Sequence, residues 1–288
     1  MELVVQGRPA YVYTGGKVFD PALPCVVFVH GALNDHCVWG LLARWCAHHG
    51  HAVLALDLPG HGLSQGPALR SVESLADWTL AALDAAGVAS ATLVGHSMGS
   101  LVALEAAGRA PARVDRLVMV GTAYPMAVSQ ALIDSARDTP LAAIDMVNSW
   151  SLGSHASKPS YPGPGSWLHG GLRALMRQVL ARSEALGWRG TPDDGPGGAA
   201  ANLFELDFDI CRRYAGGLDA AARISCPAHL VLGSGDRMTQ PKQATGLQAA
   251  LARQVPTRQH LLASGHAVMQ EQPDEMLAVL RLALAQSR

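Results

Sequence analysis

Ala91-Thr92-Leu93-Val94-Gly95-His96-Ser97-Met98-Gly99-Ser100 decides the reading of this chain. An apolar, β-branched run leads into a Gly-x-Ser-x-Gly pentapeptide, and a stretch with helical spacing, Ser97 to Arg109, follows it. A strand that becomes a helix within a single turn passes through strained backbone, and the two glycines let the chain approach itself there. Such a turn lifts the Ser97 hydroxyl off the sheet. The helix behind it offers unpaired N–H groups and a positive dipole end to a developing negative charge. Ser97 is therefore the candidate nucleophile.

Working outward, the same rhythm repeats. Cys25 to His30, His51 to Asp57, Ala91 to Gly95 and Asp115 to Val120 are short apolar strands. Val38 to His49, Val72 to Ala86 and Ser97 to Arg109 are the helices between them. Short strands alternating with longer helices imply parallel βαβ units in a sheet covered on both faces. Glu2 to Gln6 and Pro9 to Thr14 are expected to form an antiparallel hairpin leading into that sheet. The rhythm resumes with a strand at Ala228 to Gly233, a helix at Lys242 to Ala252, a strand at Arg258 to Leu262 and a helix at Pro273 to Ala285. The middle breaks the pattern. Helices are expected at Met126 to Arg137, Leu141 to Trp150, Leu172 to Leu186 and Asn202 to Tyr214, with Gly/Pro-rich loops at Gly153 to Gly171 and Gly187 to Ala200. Residues 124–225 thus form an insertion between two strands of one sheet, whose halves are residues 1–123 and 226–288. Arg173, Arg177 and Arg182 lie off the apolar face of their helix and read as a solvated cationic face.

Composition narrows the function classes. The formal net charge is −1, which argues against a nucleic-acid or anionic-membrane partner, since both need a basic face. The five cysteines include no C-x-x-C pair, so disulfides and a zinc site are not expected, and the thiols read as small buried hydrophobes. Met1 to Thr14 has no charged segment followed by an apolar run, and no stretch approaches the roughly 20 apolar residues of a membrane span. A soluble, cytoplasmic protein is expected; a homodimer is left open.

A serine hydroxyl needs a general base. Among 12 histidines the candidate is His266, in Ser264-Gly265-His266-Ala267, because it follows the last strand at the carboxyl edge of the sheet, where Ser97 also lies. His96, next to Ser97, is expected to point away; His30 and His61 sit in glycine-rich turns; His48, His49 and His51 lie at a helix end and loop. The base needs an acid to hold its tautomer. Gly233-Ser234-Gly235-Asp236 supplies one after the Ala228 strand, whereas Gly121-Thr122-Ala123-Tyr124, after the preceding strand, has none. An Asp in such a turn is often only a turn former; its position at the same sheet edge singles out Asp236. Two N–H donors are needed for an oxyanion. Met98, directly after the nucleophile, is one candidate. His30-Gly31-Ala32-Leu33 offers the other, with Ala32 preferred and Leu33 the alternative.

With these residues assigned, the chain resembles the α/β-hydrolase superfamily, in its capped branch of serine esterases, C–C hydrolases and haloperoxidase-like enzymes. The resemblance rests on His30-Gly31-Ala32, Asp57-Leu58-Pro59-Gly60-His61-Gly62-Leu63-Ser64, Gly95-His96-Ser97-Met98-Gly99, Gly233-Ser234-Gly235-Asp236, and Gly265-His266 with Glu271-Gln272-Pro273. It covers Glu2 to about Thr122 and Pro227 to the end. It implies an α/β fold with a mostly parallel eight-stranded sheet, helices on both faces and an inserted helical cap. The order Ser97, Asp236, His266 is the family's order, and the Asp57–Ser64 segment is a structural loop in the family. The implied activity is cleavage of a carboxylic ester or related acyl bond in a small molecule, with neither cofactor nor metal. Serine at the nucleophile position disfavours haloalkane dehalogenase and epoxide hydrolase chemistry. A C–C hydrolase of vinylogous diketones, an acyltransferase or thioesterase, and a non-catalytic ligand-binding module stay open as alternatives. Leu33, Tyr124, Met126 and Trp150 are the expected substrate-pocket residues; Ile144, Trp167 and Phe204 are further apolar residues of the insertion, any of which can equally be cap core.

Overall fold

A computed structural model describes residues 1–153, 162–163, 166–188 and 201–285. The chain opens with the antiparallel pair β1 (Glu2–Val5) and β2 (Arg8–Tyr13). Strand and helix then alternate through β3 (Cys25–Val29), α1 (Gly40–His48), β4 (Ala52–Leu56), α2 (Val72–Ala85), β5 (Ala91–His96), α3 (Met98–Arg109) and β6 (Val114–Val120). The insertion carries α4 (Gln130–Asp138), α5 (Pro140–Ser151), two short paired strands β7 (Pro162–Gly163) and β8 (Ser166–Trp167), α6 (Leu168–Ala185), α7 (Leu203–Arg213) and α8 (Gly217–Arg223). The pattern closes with β9 (Ala228–Gly233), α9 (Thr245–Ala252), β10 (Thr257–Leu262), α10 (Val268–Glu271) and α11 (Pro273–Ala285).

Eight strands form one sheet in the order β1-β2-β4-β3-β5-β6-β9-β10. β2 pairs antiparallel with β4, and the six strands from β4 to β10 are parallel. From β3 the chain goes first to one side, β4, and then to the other, β5. The loops after β3 and β5 therefore diverge and leave a crevice at the carboxyl edge, where α/β sheets bind their ligands. Register aligns the strand ends along that edge: Val29 faces Gly95, His96 faces Val120, Val120 faces Val231 and Leu262 faces Gly233.

The central strands β3, β4, β5 and β9 are buried on both faces, which explains their unbroken apolar runs. Val27, Val29, Leu93, Leu117 and Met119 pack into a core with α2, α3 and the insertion. Their neighbours Val26, Phe28, Val94, Val118 and Val120 point the other way, onto α1 and α11. Each such side chain contributes about 1.5–3 kcal/mol on burial.

Several expectations shift in the insertion. Met126 to Ser129 precede the helix rather than start it; α4 begins at Gln130, capped by the Ser129 hydroxyl, which accepts from the Leu132 N–H. α6 starts at Leu168, so the end of the expected irregular stretch is helical. α8 and α10 have no clear periodicity because each is very short. The Arg173 guanidinium donates to Asp145 on α5, and Arg177 lies 3.5 Å from the same carboxylate. These arginines therefore join α5 to α6 instead of forming a free cationic face, though exposed pairs of this kind add little stability. Four cysteines are buried as expected; Cys37 is exposed. Among the described residues, no helix is long and apolar enough to cross a membrane.

Candidate active site

Ser97 stands between β5 and α3 with φ 52° and ψ −120°, a left-handed conformation that costs a non-glycine residue strain. The surroundings enforce it. The Ser97 N–H still extends the sheet, donating to Val120 O at 2.9 Å, while the Ser97 carbonyl already accepts from the Ser100 hydroxyl at 2.6 Å. The flanking glycines are there for space. A Cβ on Gly95 would collide with Gly99 O, and one on Gly99 would collide with Val29 O.

His266 and Asp236 form a buried pair, with Nδ1 to Oδ2 at 2.8 Å and relative exposures of 6% and 3%. The carboxylate is held from several sides: Oδ1 accepts from the Met238 and Thr239 N–H groups at 2.7 and 2.9 Å, and Oδ2 accepts from the Thr239 hydroxyl at 2.8 Å. Burial alone would raise the Asp236 pKa. The His266 ring, and after it the Thr239 donors, outweigh burial and hold it below the usual carboxylate value. An ionised Asp236 keeps the His266 proton on Nδ1 and leaves Nε2 free to act as a base.

The His266 loop is fixed by the insertion. The His266 N–H donates to Ser151 O, at the end of α5, at 2.6 Å. Glu271 clasps the same region: its two oxygens accept from Gly153 N and Gly265 N at 2.8 and 2.9 Å. Burial raises the Glu271 pKa despite these two donors.

His96 does not leave the site, contrary to expectation. Its ring packs on His266 with centroids 4.7 Å apart, and its Nε2 donates to His266 O at 3.0 Å. Burial and the neighbouring His266 push its pKa down to about 3, so it is neutral at physiological pH. His30 is tied into the loops around it: Nδ1 donates to Gly31 O, Nε2 accepts from Leu58 N, and burial lowers its pKa to about 4. Asp57 likewise organises its own loop, accepting from the His36 and Leu63 N–H groups, each at 2.8 Å.

The two candidate oxyanion donors behave differently from their neighbour. Met98 opens α3, so its N–H is one of the helix's unpaired donors. The Ala32 N–H has no partner among the described residues. Leu33, the alternative, is excluded because its N–H donates to Asp207 Oδ2 at 2.7 Å. Asp207 reaches in from α7, is 2% exposed and also accepts from His61 Nε2 at 2.9 Å. Sequence reasoning misses Asp207 and Thr239. Thr239 carries a faint signal, a hydroxyl residue three positions after an Asp in a turn. Asp207 carries none, since its partners lie far away in the chain.

Two cavities meet at Ala32, Ser97, Phe208 and Met238. The first, about 530 Å³ including its open mouth, contains His266 and His96 and is walled by Val147 and Asn148 of α5 and Met176 of α6. The second, about 710 Å³ measured the same way, is lined by Met126, Val128, Leu132, Trp150 and Cys211. Met126 and Trp150 are thus where a pocket residue should be. Leu33 and Tyr124 line neither cavity: Leu33 is completely buried in the core, and the Tyr124 hydroxyl donates to Ala215 O beside Tyr214. Phe204 and Ile144 are fully buried cap core; the Trp167 side chain lies outside the described residues.

Among the described residues, only Asp35, His36 and Cys37 bring metal-ligand atoms together, within 4.8 Å. Local structure accounts for that cluster. His36 Nδ1 is bonded to Asp57 at 2.8 Å, and Asp35 Oδ1 accepts from the Cys37 N–H.

The chain is similar to several known proteins. A stretch of 98 residues is 32% identical to the esterase YbfF of Escherichia coli K12, covering 34% of this chain and 38% of that protein. Another of 104 residues is 40% identical to the dihydrolipoyllysine-residue acetyltransferase component of the acetoin cleaving system of Pseudomonas putida, covering 34% of this chain and 26% of that one. The matched stretches thus span well under half of these relatives. In three dimensions the chain superposes on an enol-lactonase from Burkholderia xenovorans LB400 with a TM-score of 0.81 at 20% identity, covering 99% of this chain and 100% of the other. An esterase from Exiguobacterium antarcticum gives 0.78 at 16% identity, with 99% of both chains covered. At such identities the likeness is one of fold. The sequence profile of the alpha/beta hydrolase family matches residues 26–279, nearly the whole chain, and the protein belongs to that family.

Proposed function

We propose that the protein is a serine hydrolase that cleaves carboxylic esters of small molecules through Ser97, His266 and Asp236. One observation carries this reading: the strained Ser97 turn and His266, paired with the buried Asp236, line the same cavity, beside an Ala32 N–H without a partner among the described residues. Ser97 Oγ attacks the ester carbonyl while His266 Nε2 takes its proton. The Ala32 and Met98 N–H groups stabilise the oxyanion. His266 then protonates the leaving alcohol, and the acyl-enzyme is hydrolysed by a water that His266 activates. Residues of α5, α6 and α7 wall the cavities, which suits a small substrate better than a polymer. The esterases among the relatives support the bond type.

The test is hydrolysis of a p-nitrophenyl ester series, acetate to decanoate, by the wild type and by Ser97→Ala. Turnover that falls at least about 10³-fold in the variant is expected. A wild type that turns over none of the series, but cleaves a vinylogous diketone, would replace ester hydrolysis with C–C bond hydrolysis.

A further inference from the structure

The two cavities that meet at Ser97 are not equivalent. A tetrahedral intermediate carries four groups: Ser97 Oγ, the oxyanion, the acyl chain and the leaving atom. His266 has to reach the leaving atom to protonate it. Only one of the two cavities contains His266. On the reading of the site as an ester hydrolase, the leaving alcohol therefore lies in the His266 cavity. The acyl chain extends into the other, between Met126, Leu132, Trp150 and Phe208.

That acyl cavity is lined mainly by apolar side chains, with the hydroxyls of Ser97, Ser129 and Thr239 and one charge. Arg237 is the only Arg, Lys, Asp or Glu among the described residues that line either cavity. It follows Asp236 directly, yet the Asp236 carboxylate is occupied by His266 and Thr239. Among the described residues Arg237 makes no ion pair; one of its N–H groups donates to Ser149 O near the end of α5. Arg237 is exposed, and a guanidinium has five N–H donors in a planar fork that matches a carboxylate, so most of them are open to solvent or to a ligand in the cavity. A largely apolar chamber bordered by a permanent cation is a poor host for a plain fatty acyl chain. It is a good one for a chain that ends in a negative charge.

We propose that the preferred substrates are esters whose acyl part carries a distal carboxylate, that is, monoesters of dicarboxylic acids, with Arg237 as the counter-ion. The experiment compares monomethyl esters of C4–C8 dicarboxylic acids with methyl esters of the matched monocarboxylic acids. Wild type, Arg237→Gln and Arg237→Lys are assayed, each checked for an unchanged thermal transition. The wild type is expected to favour the charged member of its best pair by about tenfold in kcat/KM, the scale of one charge-assisted contact. Arg237→Gln should lose that preference, its kcat/KM falling about tenfold further on the charged ester than on the uncharged one, and Arg237→Lys should retain part of it. Equal preference in wild type and Arg237→Gln would overturn the proposal and leave Arg237 as a cap of α5, with ester hydrolysis intact. If no ester is cleaved, the hydrolase reading fails on its own. Calorimetric binding of the same monoesters then decides the subsite: weaker binding to Arg237→Gln supports it, and identical or absent binding overturns it.

Discussion

The Leu33 N–H donates to Asp207 Oδ2 at 2.7 Å, joining the loop after β3 to a helix of the insertion. Leu33 has φ 50°, a conformation that a branched residue adopts only under constraint, and His61 shares the same carboxylate oxygen. The bond turns the loop so that the Ala32 N–H, one residue earlier, remains available. Asp207 is thus a positioning residue. Asp207→Ala strands a buried N–H and should cost about 2–4 kcal/mol of stability. Asp207→Asn keeps an acceptor and should fold, but with kcat lowered about tenfold and KM little changed, because only transition-state stabilisation is lost. Steady-state kinetics on the two variants, beside their urea unfolding curves, checks this. An Asn variant with unchanged kcat would dissociate the loop from the insertion.

Thr239 touches both halves of the buried pair. Its hydroxyl lies 2.8 Å from Asp236 Oδ2, 3.0 Å from His266 Nδ1 and 3.0 Å from Gly121 O. Thr239→Val preserves shape and removes these contacts. Activity should fall about tenfold, and because an Asp236 donor is gone, the carboxyl pKa should rise. The acid limb of the kcat/KM profile should move to higher pH; an unshifted limb would show that Thr239 only fills space.

Gly121 has φ 56°, and a Cβ there would lie 3.1 Å from His266 Nδ1. Gly121→Ala should cost about 1 kcal/mol in backbone strain. Its effect on turnover should be larger, because the imidazole must move to make room. Comparing the thermal midpoint with kcat measures the two separately, and a variant that loses stability but keeps kcat would contradict this placement of His266.

His96 makes stability depend on acidity. In the folded chain it stays neutral, with a pKa pushed down to about 3 by burial and by the neighbouring His266, whereas an unfolded histidine takes up its proton near pH 6.5. Between those values the unfolded state binds more protons. The stabilisation is therefore complete above about pH 6.5 and is lost as the pH falls. At about pH 4.5 the loss amounts to about 2–3 kcal/mol. His30, lowered to about 4, adds a loss of the same sign. Denaturant unfolding at neutral and acid pH should show this slope, and His96→Gln should flatten it. An equal slope in the variant would place the protonation elsewhere.

Much of this is legible in the sequence because it is local. Gly95 to Gly99 codes a strand-to-helix turn in consecutive residues, and the apolar runs of β3, β5 and β6 code burial on both faces. His266 and Asp236 can be picked out because each follows a strand, so topology brings them to one edge. What escapes depends on tertiary contact. No spacing links Leu33 to Asp207, across 174 positions, so Leu33 reads as an alternative oxyanion donor although Asp207 already holds its N–H, and as a pocket residue although it lines neither cavity. Tyr124 misleads for a similar reason. It follows β6 but turns under Gly217, where an added Cβ would collide with its ring. His96 reads as turned away because it neighbours Ser97, yet the strand ends at His96 itself and its ring packs on His266.

A Ser97 nucleophile activated by His266 is open to covalent labelling at the serine itself. The protein is treated with a fluorophosphonate ester, and the modified peptide is identified by mass spectrometry in wild type, Ser97→Ala and His266→Asn. One adduct is expected, on Ser97 alone, absent from Ser97→Ala and formed at least about 10²-fold more slowly in His266→Asn. Labelling of another residue, or labelling of Ser97 at an undiminished rate without His266, would contradict it.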